Sequence, residues 1–253
     1  MNNFNILFAV ILSGFLVFSA CKKGNDISNK PEKIYYGDLI NPSISELQTF
    51  YDNEYNVIDG NVEFANIDSL FNMKAFSHLR KITGSFRVEH NYHFFSFSGL
   101  NNLESIGNSF VVFDNNAVVN FKGLDNLQSV SDGFIISVNT KLESLEGLGK
   151  LQNIDTLFII EHNTKLNNLD GLYQLKYAGN LLVFNNAELK SLSGLTSIEV
   201  VRNKLVIEDN PDLTDFCSIR KLLTINGVGG YVGISNNLFN PSTEDIIAGN
   251  CSQ

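Results

Sequence analysis

The residues of this 253-residue chain that could carry out chemistry are its four histidines and a regularly spaced set of glutamates. His90 and His93 are close in sequence, but no second pair of metal ligands accompanies them. Glu161 and Glu208 occupy one repeat position, as paired carboxylates of a polysaccharide-cleaving enzyme could. Whether such side chains meet depends on the elements that position them.

Six asparagines mark a repeat of about 24 residues through the middle of the chain. They are Asn91, Asn115, Asn139, Asn163, Asn186 and Asn210. Apolar residues follow each asparagine at intervals of three, and an apolar pair such as Phe134 and Ile136 precedes it. A fixed period of this size indicates a solenoid, in which each unit must stack on its neighbours to bury its apolar side.

The pattern inside each repeat predicts strands. The Phe-x-Ile alternation has the period of two of a strand, whereas the following L-x-x-L-x-x-I spacing lacks the i+4 residues of a helical stripe. We therefore predict an all-β fold, a right-handed parallel β-helix solenoid with three short extended sides per coil. Each coil raises the chain by about 4.8 Å, and matching positions form straight columns.

This geometry separates the candidate catalytic side chains. His90 and His162 lie three coils apart, about 14 Å at strand spacing, which is too far for one metal ion. Glu161 and Glu208 lie about 10 Å apart with Phe184 between them, at or beyond the limit for a glycosidase pair. The sequence has no phosphate-binding loop, Cys-His pairing or serine-nucleophile elbow. We predict no catalysis, no metal site and no cofactor.

The columns give the asparagines a structural role, because amides stacked at strand spacing can bond to one another and to the corner backbone. The strand position four before each asparagine should point outward, yet it is apolar in five successive coils with two phenylalanines beside it. The residues of this predicted binding face are Val111, Phe113, Ile135, Ile159, Leu182, Phe184 and Val206. Strand propensity alone is one explanation, and docking of a protein, a glycan or a second copy is the other.

The repeat L-x-x-L-x-x-I-x-x-x-F-x-V-x-x-N-x-x-L-x-x-L-x-G runs with small variations from Phe76 to Phe216. It resembles the receptor L domain, the β-helical leucine-rich module in the ectodomains of the insulin and epidermal growth factor receptors. The resemblance implies a stable scaffold that binds partners, and it does not identify them.

The first 21 residues predict export and lipidation. Residues 1–20 carry no charged side chain and are almost wholly apolar from Phe4 to Phe18, which is typical of a signal peptide. The run from Leu16 to Cys21 resembles a bacterial lipobox, in which the new N-terminal Cys21 carries lipid. An ordinary secreted protein with a stray cysteine is the alternative. The polar residues 21–40 are predicted to be a flexible tether, and residues 41–253 the β-helix.

Both ends of the solenoid carry cap signals. A capping-box pattern begins at Ser43 and predicts a short helix over the first coil, and Ser242 to Gly249 predicts another at the far end. Cys217 and Cys251 are the cysteines left after lipidation, and they predict one disulfide in an oxidising compartment. Two unrelated buried thiols are the alternative.

The formal net charge of −9, without a run of basic residues, argues against nucleic acid as a partner. We predict an extracytoplasmic lipoprotein, anchored in the outer membrane of a Gram-negative bacterium on its periplasmic side or at the cell surface. It serves as a non-catalytic module that recognises a protein or glycan, with a homodimer through the outer sheet face as a further option. The rival functions are a polysaccharide-active enzyme or accessory glycan binder, and a self-associating structural protein of the envelope.

Overall fold

The computed structural model describes residues 31–67 and 72–253. The predicted signal peptide, the lipidation site Cys21 and the first part of the predicted tether lie outside the described residues. Two parallel sheets make up most of what is described, so the prediction of an all-β parallel β-helix is confirmed.

The first sheet has eight short strands. They are β1 (Ile34–Tyr36), β3 (Val57–Asp59), β5 (Lys81–Ile82), β7 (Ser105–Ile106), β9 (Ser129–Val130), β11 (Asn153–Ile154), β13 (Tyr177–Ala178) and β15 (Val200–Val201). The second sheet has nine strands and is the one that carries the predicted binding face. They are β2 (Leu39–Ile40), β4 (Val62–Ala65), β6 (Phe86–Glu89), β8 (Phe110–Phe113), β10 (Gly133–Ser137), β12 (Leu157–Glu161), β14 (Leu181–Phe184), β16 (Leu205–Glu208) and β17 (Val232–Ser235).

Equivalent residues of successive coils stand in register. In the nine-stranded sheet, Phe110 pairs with Phe134, which pairs with Phe158. The rings of this column, which begins at Phe86, are nearly parallel, with centroids 4.6 to 5.4 Å apart. Strand spacing therefore sets a distance at which buried aromatic rings also stack.

The third side of each coil differs from the prediction, because it is built from turns and not from a third sheet. The amide of Leu142 donates to the carbonyl of Asn139, that of Leu148 to Leu145, and that of Leu151 to Leu148. Each bond spans three residues, so the L-x-x-L spacing marks successive turns that keep the leucines inward. Neighbouring coils are joined here by scattered bonds, such as the one from the amide of Phe121 to the carbonyl of Glu146.

The predicted boundary between tether and domain at residue 40 is wrong. Ile34 pairs with Val57, and Leu39 pairs with Val62, so β1 and β2 form a coil of the solenoid below the coil of β3 and β4. Leu39 is 2% exposed. The polar residues around these two short apolar runs hid them, because a strand of two or three residues shows little periodicity.

In the part of the chain that the structure describes, three α-helices cap the ends. They are α1 (Ile44–Asp52), α2 (Arg220–Thr224) and α3 (Thr243–Ala248). Ser43 and Ser242 form capping boxes with Glu46 and Asp245. Among the described residues, no helix combines the length and apolarity needed to cross a membrane.

The cap at α1 buries less of its helix than the sequence pattern indicates, and the cap at the far end is held by a disulfide. In α1, Phe50 is buried against Phe76, with ring centroids 5.1 Å apart, whereas Ile44 is exposed. At the far end, Cys217 and Cys251 form the predicted disulfide.

Candidate interaction surface

The predicted binding face is assembled on the outer side of the nine-stranded sheet. Strands alternate their side chains, so the buried Phe and Val/Ile columns leave the intervening column outward. Strand pairing places five apolar residues of this column side by side, namely Val111, Ile135, Ile159, Leu182 and Val206. We call these five residues the outer stripe. Ile135, Ile159, Leu182 and Val206 are partly exposed.

Val111 corrects the prediction at one end of the outer stripe. It is only 6% exposed, although its strand position points away from the core. Arg87 and Ile135 stand at the matching positions of the two neighbouring strands. Side chains at strand spacing on one face cover one another, so Val111 contributes little free surface.

Two phenylalanines lie on the same outer face in the next column. Phe113 and Phe184 are partly exposed, and each contacts a histidine edge to face. The centroid distances are 4.9 Å from Phe113 to His90 and 6.4 Å from Phe184 to His162. The two phenylalanines do not touch each other, because Ser137 and Glu161 occupy the column between them.

The two ends of the outer stripe are bounded by different kinds of side chain. At one end, Arg87 carries an ion pair with Glu89 at 2.6 Å. At the other, Gly233 stands beside Val206, and a Cβ on Gly233 would lie 2.7 Å from the ring of Tyr231. The apolar strip is therefore bounded by charge at one end and by a tyrosine ring at the other.

The histidines and carboxylates form separate pairs. His90 Nδ1 lies 3.0 Å from Asp114 Oδ2, and His162 Nδ1 lies 3.4 Å from Glu161 Oε2. Glu161 also accepts a hydrogen bond from Ser137 at 3.0 Å. Within residues 31–67 and 72–253, no three His, Cys, Asp or Glu side chains are arranged to hold a metal ion.

Phe184 separates the two glutamates considered for catalysis. It pairs with Glu161 on one side and with Glu208 on the other. The two carboxylates are thus two coils apart, about 10 Å at strand spacing, and an aromatic side chain stands between them. This arrangement brings them to one face without making them a close pair.

The six asparagines form a continuous buried ladder. From Asn115 onward, Oδ1 accepts from the backbone amide and from Nδ2 of the preceding asparagine, while Nδ2 donates to a strand carbonyl one coil below. At the start of the ladder, Oδ1 of Asn91 accepts from the amide of Ile67. Asn139 shows the pattern, with Nδ2 bonded to Val112 O at 2.9 Å and the amide of Asn115 bonded to Asn139 Oδ1 at 3.0 Å. Asn237 extends the ladder by one coil.

A second corner column was missed by the sequence analysis. The residue just before each ladder position has a positive φ in the left-handed region, including His90 at 56° and Val138 at 60°. The sequence contained a signal for this column, because three of its members, Asp114, Asn185 and Asp209, are residue types that tolerate the left-handed conformation. Of the histidines assessed as metal ligands, His90 and His162 therefore stand at turn positions.

The comparison with known families agrees with this architecture. The family model of the receptor L domain matches residues 56–142. No curated protein matches the chain. The matched stretch runs from β3 through β10, and the same pairing register continues through β17. The family suggests a non-catalytic binding module. Residues 56–142 are thus a receptor L domain-like region within a longer parallel β-helix.

Proposed function

We propose that this protein is a lipid-anchored extracytoplasmic recognition module that binds a protein ligand through the outer stripe. One observation carries the proposal, namely four partly exposed aliphatic side chains in unbroken register at Ile135, Ile159, Leu182 and Val206. A contiguous apolar strip of this kind, on a surface that the fold itself does not cover, is typical of interaction sites.

The chemistry of the strip favours a protein ligand over a glycan. Its centre is aliphatic and offers no hydrogen-bond donors or acceptors to the hydroxyl groups of a sugar. Around it stand polar groups that are bonded to one another, as the bonds from Arg87 to Glu89 and from Ser137 to Glu161 illustrate, together with the partly exposed rings of two phenylalanines. An apolar centre inside a polar rim is the usual anatomy of a protein–protein interface.

The lipobox supports the proposed anchor. A lipid on Cys21 would tether the domain to a membrane, and several acyl chains bind firmly where one binds marginally. Metabolic labelling with an alkynyl fatty acid tests this step. The full chain should carry the label in the membrane fraction, and Cys21→Ser should lose it and become soluble. Equal labelling of the variant would contradict the anchor.

Paired lysine substitutions test the binding surface. Ile135→Lys with Ile159→Lys places two charges in the centre of the outer stripe, where both side chains project outward. Val200→Lys is the matched control, because Val200 is 41% exposed on a strand of the other sheet. Partner capture from solubilised envelopes should fall at least about tenfold for the double variant only. Equal capture by the parent, the double variant and the control would mean that the apolar residues of the outer stripe reflect strand propensity and not binding.

A glycan-active function is the second candidate, and it rests on Glu161 and Glu208 flanking Phe184 on the outer face. Activity on a panel of polysaccharides that is lost in Glu161→Gln or Glu208→Gln would support it. A structural, self-associating role predicts instead that the full chain in detergent sediments as an oligomer. Ile135→Lys with Ile159→Lys would then shift it to monomer.

A further inference from the structure

We propose that the free edge of β17, at the Cys251 end of the solenoid, is a second binding site that accepts an extended peptide segment of a protein partner as one more parallel strand. This site is separate from the outer stripe. It does not depend on the function proposed for that stripe.

The last coil closes two of its three sides and leaves the third open. The eight-stranded sheet is continued by residues 227–229, because Val201 bonds to the carbonyl of Gly227 and Gly229 bonds back to Val201. The turn side is covered by the disulfide segment, since the amide of Phe216 donates to the carbonyl of Cys251. The nine-stranded sheet has no such cover among the described residues. Its last strand, β17, pairs with β16 alone.

The unused backbone groups of β17 can be assigned from the earlier coils. Leu205 donates its amide to the carbonyl of Tyr231 in the next coil, and Phe86 and Leu181 bond forward in the same way. Val232 and Ile234 stand at the equivalent positions of β17. Their amides and carbonyls therefore point away from β16, toward the place of a further strand.

The asparagine ladder, in contrast, is terminated within the coil. Asn237 donates its backbone amide to Asn240 Oδ1 at 2.9 Å, where each earlier asparagine bonds to the next coil. Asn240 in turn donates to the carbonyl of Asn237. In the preceding coil, Ile207 O accepts from Asn237, but no ladder asparagine reaches Ile234 in the part of the chain that the structure describes. The corner is capped and the strand edge is not.

The apolar side chains at this end favour a partner strand with a defined pattern. The inward pairs of the seven preceding strands, such as Leu205 and Ile207, are at most 1% exposed, whereas Val232 and Ile234 are only partly buried. Leu238, four residues after Ile234 in the sequence, is 64% exposed. A strand added in register would place its residues at i and i+2 over Val232 and Ile234, so the partner segment needs apolar side chains at those two positions.

A peptide copied from the protein itself provides the probe. Residues 155–162, Asp-Thr-Leu-Phe-Ile-Ile-Glu-His, contain β12, whose Phe158 and Ile160 fill the inward positions. A fluorescein-labelled peptide of this sequence should bind the full chain saturably, as measured by fluorescence anisotropy. The same peptide with serine at both inward positions should bind at least about tenfold more weakly, because it loses the apolar contacts.

Backbone N-methylation tests the register directly. In a parallel strand aligned as β12 is in the fold, the amide of Ile159 in the peptide donates to Val232, whereas the amides of Phe158 and Ile160 point outward. N-methylation at Ile159 should therefore weaken binding about tenfold or more, and N-methylation at Ile160 should leave it unchanged. Equal effects of the two methyl groups would overturn the proposed pairing.

A protein variant completes the test. Ile234→Pro removes an amide that has no partner in β16, a position where proline is tolerated in an edge strand, and Ile234→Val keeps the amide. The proline variant should fold and lose the peptide, and the valine variant should bind as the parent does. If the proline variant does not fold, hydrogen exchange of residues 229–240 in the parent protein provides the test. Bound peptide should slow the exchange of this segment. The proposal fails if the peptide does not bind. It also fails if this segment is protected only as the protein concentration rises, since a second copy then occupies the edge.

Discussion

The side-chain oxygen of Asn163 accepts two hydrogen bonds from Asn139, one from its backbone amide at 3.1 Å and one from Nδ2 at 3.3 Å. Both residues are fully buried. One amide thus satisfies the polar groups at two levels of the stack, which explains how hydrogen bonds offset the cost of desolvating a polar column inside an apolar core.

Removing one member of this ladder should be costly. Asn139→Ala leaves the buried amide of Asn115 without its acceptor. It also removes one hydrogen bond each from the carbonyls of Val112 and Ser137, although Ser137 O still accepts from the amide of Asp114. We expect the free energy of unfolding, measured in urea, to fall by about 3–5 kcal/mol. Asn116→Ala is the control, because Asn116 is only partly buried, and its loss should cost no more than about 1 kcal/mol. Similar losses for both variants would contradict a special role for the ladder.

Val138 has a strained backbone conformation, so a residue that tolerates this conformation should stabilise the protein. Its φ of 60° places a β-branched residue in the left-handed region, whereas Asn185 and Asp209 fill the same column with types that tolerate it. Val138→Asn should raise the free energy of unfolding by about 1 kcal/mol. The reverse change, Asn185→Val, should lower it by a similar amount. A stabilising Asn185→Val would refute this explanation.

The glycines that join the coils should not tolerate a side chain. A Cβ on Gly147 would lie 2.1 Å from the carbonyl oxygen of Phe121, and its φ is 107°. Gly147→Ala should therefore lower the midpoint of thermal unfolding sharply, with a cost of at least about 3 kcal/mol. Gly149, two residues away, has open space around its Cβ position, so Gly149→Ala should change the stability by less than about 0.5 kcal/mol.

The disulfide should hold the Cys251 end of the stack. Cys217 and Cys251 are 34 residues apart in sequence, so replacing both by serine should cost about 3–4 kcal/mol on loop entropy alone. Hydrogen exchange should accelerate first in α3 and residues 251–253, because these segments are tied to the stack through Cys217. Adding a reductant should reproduce the effect in the parent protein and change nothing in the double variant.

The cap at α3 should loosen in acid. Hydrogen bonds from Ser242 hold the pKa of Asp245 below its ordinary value. A lowered pKa means that the stabilisation is present above the ordinary value and is lost as the pH falls through the folded value. The protection factors of the α3 amides, which correct for the slower intrinsic exchange in acid, should therefore fall below about pH 4. Ser242→Ala should remove this pH dependence, and an unchanged profile would contradict the capping contribution.

The features that recur in every coil could be predicted from the sequence. The asparagine positions and the Phe-x-Ile pairs predict which side chains are buried, because strand spacing converts a constant period into columns. Features that occur once were predicted less well. β1 and β2 are too short to show a period, and Ile44 in α1 belongs to a helical stripe although the structure leaves it exposed.

The candidate surface was predictable in position and less so in extent. The outward column follows from strand alternation, so the outer stripe lies where the pattern placed it. The burial of Val111 was not predicted, because strand alternation gives the direction of a side chain and not how far its neighbours, here Arg87 and Ile135, cover it. The open edge of β17 was also not apparent, because it follows from how the last coil closes its other two sides.

Site-specific photo-crosslinking in intact cells tests the central claim most directly. A benzoylphenylalanine replaces Ile159 in the middle of the outer stripe, or Val200 on the opposite sheet as the matched control. We expect irradiation to give a discrete adduct with a protein at position 159 and none at position 200. The same adducts at both positions, or none at position 159, would contradict recognition through the outer stripe.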